Sequence, residues 1–335
     1  MNKNNKLLNV AKRMTCGLPL IALGVSIACL TWSQPALAAD QGSEHCSLAL
    51  VTKQDKTSIR VCDPKTVRAL AKHGHIFEQN QLGIVSMLAI GPDYDPAEAL
   101  KWFEQAARNG YAPAQVNLAV MNANGWGTAQ NYGAALRWLH LAADQGYARA
   151  YYNLGILYLQ GRGVHQDYAE ALRFLRMGAE AGDTGAQTNL GYMYDRGLGL
   201  PQNQSTAAAW YRQAAENDDP MAQNNLADLY LRGEGVQQDD AVAFRLFQQA
   251  ASQGHTGARI KLGYMYSAGR GTSRDPVTAC AWITAATVAG DSRGRDLLRS
   301  LEAQLSPDQI ARARNQAGSL RIQSDTDLSA KALLP

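Results

Sequence analysis

Apolar and polar positions along this chain recur with a spacing of 36 residues. Ala114 returns as Ala150, Ala186, Ala222 and Ala258, and Leu118 as Leu154, Leu190, Leu226 and Leu262. Inside one unit, Ala150, Leu154, Leu157 and Tyr158 fall at helical spacing, which predicts an amphipathic helix A over 148–160. Gly161-Arg162-Gly163 stops it, because glycine tolerates the left-handed backbone just past a helix end. A second helix, B, opens at an Asx residue in each of six units: Asp95, Asn131, Asp167, Asn203, Asp239 and Asp275. Such a side chain accepts from free N–H groups of the first turn, and its removal costs about 1 kcal/mol. A period of this size belongs to stacked supersecondary units that bury their apolar faces against one another. The expected fold class is therefore all-α, a helix–turn–helix solenoid.

The units run 76–111, 112–147, 148–183, 184–219, 220–255 and 256–291. Helix B carries a small residue at Ala99, Ala135, Ala171, Ala207, Ala243 and Ala279, then a large one at Trp102, Trp138, Phe174, Trp210, Leu246 and Trp282. The large residues are read as knobs between neighbouring units, each buried aromatic contributing about 3–5 kcal/mol against truncation to Ala. Glycine follows helix B at Gly110, Gly146, Gly182, Gly254 and Gly290, and Asp218 breaks that rule. Residues 39–75 form a non-repeated head, ending in a helix from Asp63-Pro64 to about His73 that covers the first unit. Residues 292–321 read as a cap with a last helix to about Leu320, and 322–335 as a loose tail.

The N-terminus alters the charge picture. Lys3, Lys6, Lys12 and Arg13 precede an apolar run from Leu18 to Leu30 and a Pro35-Ala36-Leu37-Ala38 cleavage pattern, so 1–38 read as a secretory signal peptide. An uncleaved anchor and lipid attachment at Cys29 are the alternatives. Cleavage predicts a periplasmic or secreted protein with no membrane span. Subtracting the four basic groups of the leader from a net charge of +3 leaves −1. A near-neutral domain lacks the basic footprint that nucleic-acid backbones demand. Of the remaining cysteines, Cys46 and Cys62 bracket two β-prone runs, and a hairpin closed by a Cys46–Cys62 disulfide fits the spacing. Cys280 sits on the apolar side of a helix as a small core residue.

Ala-Gln-x-Asn-Leu-Gly-x-x-Tyr, Gly-x-Gly, Asx, small-x-x-Trp-x-x-x-Ala-Ala and Gly together resemble the Sel-1-like repeat, a relative of the tetratricopeptide repeat. Tyr158, Tyr194, Tyr230 and Tyr266 sit where that family places its tyrosine, whereas Asn122 and Ala89-Ile90-Gly91 depart from the pattern. The resemblance implies an α/α superhelix with helix A lining a concave face, and a role in protein–protein contact. Some secreted bacterial members resemble β-lactamases and pair cysteines in every repeat. This chain lacks those cysteines, so that activity is not carried across.

Few residues are left for specific function once caps, stops and packing are assigned. An asparagine series, Asn117, Asn153, Asn189 and Asn225, with Lys261 in the sixth unit and Gln81 in the first, falls on helix A. By analogy with tetratricopeptide relatives it faces the groove and grips a peptide backbone, since an amide both donates and accepts. The alternative is local bonding. Tyr152, Tyr192 and Tyr264 would add aromatic contacts there and Asp228 a negative charge. Trp126, between Gly125 and Gly127, is either an exposed contact or a loop anchor. The six histidines are scattered, and His73-Gly74-His75 has no third ligand beside it. No nucleophile elbow or phosphate loop appears. The expected protein is an exported bacterial interaction scaffold without cofactor or catalytic residues, binding a protein or peptide segment. An envelope enzyme, or a binder of peptidoglycan or β-lactams, is the alternative.

Overall fold

Each helix B in the repeat region starts at its Asx cap. The computed structural model describes residues 46–47, 60–61, 64–88 and 94–332, which fall into two compact units divided between Asp183 and Thr184. After strands β1 (Cys46–Ser47) and β2 (Arg60–Val61), the first unit holds α1 (Pro64–Lys72), α2 (Ile76–Leu88), α3 (Pro96–Arg108), α4 (Ala112–Asn124), α5 (Tyr132–Ala143), α6 (Ala148–Gln160) and α7 (Tyr168–Glu180). The second holds α8 (Thr184–Arg196), α9 (Gln204–Glu216), α10 (Pro220–Arg232), α11 (Asp240–Ser252), α12 (Thr256–Ala268), α13 (Pro276–Val288), α14 (Arg295–Glu302) and α15 (Pro307–Ala332). This is the all-helical repeat array that the period predicts. Even-numbered helices from α2 to α12 are helix A of their repeats, and odd-numbered helices from α3 to α13 are helix B.

All six Asx caps form. Asp95 accepts from the Ala97 and Glu98 N–H groups, and Asp167, Asp239 and Asp275 each accept from two first-turn N–H groups. Asn131 and Asn203 each accept from one. A second tie repeats beside each cap. The N–H of the capping residue donates to a carbonyl near the end of helix A, as from Asp167 to Tyr158 at 3.0 Å and Asp275 to Tyr266 at 2.9 Å. A glutamine just before the cap closes the same loop, with Gln130 donating to the Ala123 carbonyl, Gln166 to Leu159, Gln202 to Asp195 and Gln238 to Leu231.

The residue enclosed inside each repeat lies one position beyond the large residue read as a knob between units. The side chains fully enclosed in helix B are Phe103, Leu139, Leu175, Tyr211, Phe247 and Ile283. Trp102, Trp138, Trp210 and Leu246 are only half-buried, although Phe174 and Trp282 are buried. One residue turns a helix face by about 100°, so the true knob faces helix A of its own repeat. In four of the six repeats a glycine makes room there, and Ala119 and Ala227 hold the same position in the second and fifth. A Cβ on Gly155 would lie 2.6 Å from Leu175 Cγ, and one on Gly191 would lie 2.8 Å from Tyr211 Cδ1. The adjacent aromatic serves the boundary between repeats: Trp138 packs on the α3–α4 core and on the α5–α6 core alike.

Successive repeats are also tied by buried amides. Gln79 donates to the Ala71 carbonyl (3.0 Å), Gln115 to Ala107 (3.2 Å) and Gln223 to Ala215 (3.4 Å). Each bond runs from helix A to the C-terminal end of the preceding helix, where carbonyls have no intrahelical partner. In the sixth repeat Arg259 replaces the amide, and its Nε reaches the Ala251 carbonyl at 3.1 Å.

The ends differ from expectation in two ways. The short strands pair in parallel, Cys46 with Arg60 and Ser47 with Val61, which a hairpin does not do. The proposed Cys46–Cys62 disulfide lies outside the described residues. Helix α15 continues to Ala332 rather than stopping near Leu320. It packs mainly on α13, with Ala313 and Ala317 buried beside Cys280 and Ala281. Cys280 is a free, buried core residue, and burial raises its thiol pKa.

Candidate functional site

The candidate site is built from helix A of the second unit. Helices α8, α10 and α12 carry Tyr192, Asp228 and Tyr264 at one repeat position, and Asn189, Asn225 and Lys261 at another. Tyr192 and Tyr264 are 40% and 44% exposed, and Met221 at the start of α10 is 52% exposed. Tyr94, Leu141 and Val288 are comparably open elsewhere, so what distinguishes this place is the recess that Tyr192 and Met221 line.

Between α8 and α10 lies a recess of about 190 Å³ lined by Tyr192, Asp195, Arg196, Tyr211, Met221, Asn225, Asp228 and Arg232. Tyr211 closes it from below. Burial raises its hydroxyl pKa and nearby Asp195 adds to the rise, while the neighbouring Asn225 amide opposes it. The Arg196 guanidinium lies 5.8 Å from the Tyr192 ring centre, within cation–π range. Beside the recess, Lys261 forms an ion pair and hydrogen bond with Asp228. The same ammonium sits 5.5 Å from the Phe247 ring centre. Both partners of this pair are partly exposed, so its stabilisation is at most about 1 kcal/mol.

The asparagine series does not form a uniform ladder. Asn117 donates to Asn80 Oδ1 at 3.0 Å. Asn153 is fully buried, and its amide donates to the Arg149 carbonyl of its own helix at 2.9 Å. Asn189 likewise donates to the Gly185 carbonyl at 2.8 Å. Asn225 accepts from Asn224 at 3.1 Å and alone of the four lines the recess. Local bonding, the alternative weighed from the sequence, thus describes Asn153 and Asn189. Tyr152 is buried under the Arg149 guanidinium, 5.1 Å from its ring centre. Trp126 is half-buried against two core clusters, as a loop anchor rather than an exposed contact.

The structure therefore brings together Tyr192, Asn225 and Asp228, with Lys261 paired to Asp228. Tyr152, Asn117, Asn153 and Trp126 belong to the other unit. Sequence reasoning missed Arg196, Arg232, Met221 and Asp195. Arginine at the last turn of a helix reads as a partner for the helix dipole, which hid the pair. Their recurrence at a position occupied by Asn124, Gln160 and Ala268 in other units was the available signal. Among the described residues, no three His, Cys, Asp or Glu side chains group as metal ligands. No described helix is long and apolar enough to cross a membrane.

The family model of the Sel1 repeat matches six segments: 79–111, 112–147, 148–183, 184–219, 220–255 and 257–291. The chain belongs to the Sel1 repeat family. Its Sel1 units begin and end within three residues of those read from the period. Sel1 repeat proteins act in general as protein-interaction scaffolds and are mostly non-catalytic. Among solved structures, a Sel1 repeat protein from Oxalobacter formigenes is 28% identical, with a TM-score of 0.58 over 68% of this chain and 97% of that one. The protein c5321, a protective antigen of uropathogenic Escherichia coli strains displaying an SLR fold, is 27% identical with a TM-score of 0.56. That match covers 79% of this chain but only 64% of the Escherichia coli chain. No curated protein matches the sequence significantly.

Proposed function

We propose that this Sel1 repeat protein is an exported bacterial scaffold whose helix A side, in the fourth to sixth repeats, holds a segment of a partner protein. One observation carries the reading: Tyr192 and Met221 remain exposed on the rim of a recess, and Tyr264 is exposed at the same repeat position on α12, while the framework around them is closed. Aromatic side chains of this kind are frequent anchors at interfaces, where ring area adds affinity at small entropic cost. The basic leader, apolar run and small-residue cleavage pattern support export, and a periplasmic or secreted location follows from it. Capture from envelope extract tests the surface. Wild-type protein is expected to retain partners that Tyr192→Ala/Tyr264→Ala loses. An identical set of partners on both, with the variant folded, removes this face from the account. Mass spectrometry of the protein purified from its native envelope tests export, because a retained Met1 and leader would contradict cleavage.

A further inference from the structure

The recess has a chemical preference. Its two arginines, Arg196 and Arg232, occupy one repeat position in successive units, where the other units carry no cation. The packing of the repeat does not require them. Their side chains are 57% and 45% exposed. The carboxylates near them are more withdrawn: Asp195 is 10% exposed, Asp228 25% and Glu234 36%. Each carboxylate is also engaged. Asp228 is held by Lys261, and Glu234 by Gln204 at 3.0 Å as well as by Arg232 at 3.0 Å. Asp195 lies 3.6 Å from Arg196 Nε. Arg232 also gives its Nε to the Asp228 carbonyl at 3.3 Å. A guanidinium has five N–H donors in a fork that fits a carboxylate, so both arginines still keep donors for an incoming anion. What the rim offers to solvent is therefore more cationic than its formal charges suggest.

The floor and sides add the second half of the preference. Tyr192, Met221 and the Tyr211 ring, with the polar side chains of Asp195, Asn225 and Asp228 among them, bound an open recess of about 190 Å³. A protein cavity of roughly 150 Å³ suffices for benzene, so one aliphatic or aromatic side chain fits. We infer that the recess between α8 and α10 receives an extended peptide segment whose apolar side chain fills it and whose flanking Asp or Glu residues pair with Arg196 and Arg232. The inference rests on the partner-binding reading above and narrows it to an acidic–apolar–acidic motif.

Fluorescence anisotropy of the purified chain with labelled nonapeptides tests it. The peptides carry Leu, Phe or Ser at the centre of a Ser/Gly background, with Glu, Gln or Lys on both flanks. Glu-flanked Leu and Phe peptides are expected to bind at least about tenfold tighter than their Gln-flanked counterparts, as two charge-assisted bonds imply. Lys-flanked and Ser-centred peptides are expected to bind more weakly still. Arg196→Gln/Arg232→Gln should erase the Glu preference while helicity and the urea midpoint stay unchanged. Equal binding of Glu and Gln peptides overturns the motif and leaves the peptide-binding reading standing. Equal binding of Ser- and Leu-centred peptides removes the recess from the proposal. A Glu preference that survives in the double variant overturns the assignment to these arginines. Failure of every peptide to bind overturns both the motif and the reading beneath it.

Discussion

The interior of a repeat and the open side of its helix A share a helix but follow different rules. In the fifth repeat, Phe247 and Leu226 are enclosed, and comparable residues stand at the same positions in the other units. On the open side the sequence changes from unit to unit: Tyr192, Asp228 and Tyr264 share one repeat position. The interior must be alike because every helix pair closes at the same distance. A surface is free of that constraint and can acquire side chains for a partner. A departure from the period is open to a partner only where it is also exposed. Tyr152 is buried, and the recess residues Tyr192 and Arg232 are not.

The sharpest break in the comparison comes from the interior. Phe247→Ala should lose about 3–5 kcal/mol in urea unfolding, as expected for emptying a closed aromatic site. A loss below about 1 kcal/mol would mean that the knob is not seated as described. The next effect depends on pH and lies at a repeat boundary. His255 caps α12 by accepting the Ala258 N–H at Nδ1 (3.0 Å). Burial, then the charges of Lys261 and Arg293, lower the imidazole pKa to about 4, against an opposing pull from Asp291 and Asp228. The unfolded chain takes up this proton near pH 6.5 and the folded chain does not until about pH 4. Stability should therefore fall as pH drops through that window, by no more than about 3 kcal/mol. His255→Asn keeps a capping acceptor but does not titrate. Its unfolding free energy should fall less between pH 6.5 and 4, and a slope equal to wild type would contradict the assignment.

A smaller effect is expected where the chain departs from its own rule. Asp218 holds φ +59° at a position where Gly110, Gly146, Gly182, Gly254 and Gly290 all have positive φ. An L-residue is strained there, Asp less than most, so Asp218→Gly should gain up to about 1 kcal/mol in thermal or urea unfolding. A loss would show that the aspartate side chain contributes more than the strain costs.

Most of the fold was legible because its signals are local. An Asx cap, a glycine stop and an apolar stripe act within a turn or two, and all six caps form as read. What was misread depends on helix rotation or on a neighbouring unit. Trp102 and Phe103 are both large, and only the approach of Phe103 to Gly83 distinguishes the seated knob from its neighbour. Gln115 and Gln223 recur visibly, yet local spacing cannot show their role, because the carbonyl each one meets belongs to the preceding helix. The site was half legible. Tyr192 and Asp228 stood out as helix A variations and Asn225 as one of a series, but the recess needs Arg196, Met221 and Tyr211 from other turns and another helix.

The central claim is that the enclosed positions make the fold while the open side of helix A in the fourth to sixth repeats binds. It is tested most directly by measuring unfolding free energy and partner capture on the same preparations of wild type and Tyr192→Ala/Tyr264→Ala. The account predicts that the double variant loses its partners while its stability changes by only about 0.5 kcal/mol per site, as for exposed positions. Unchanged capture in a folded variant, or a loss of several kcal/mol of stability, would contradict it.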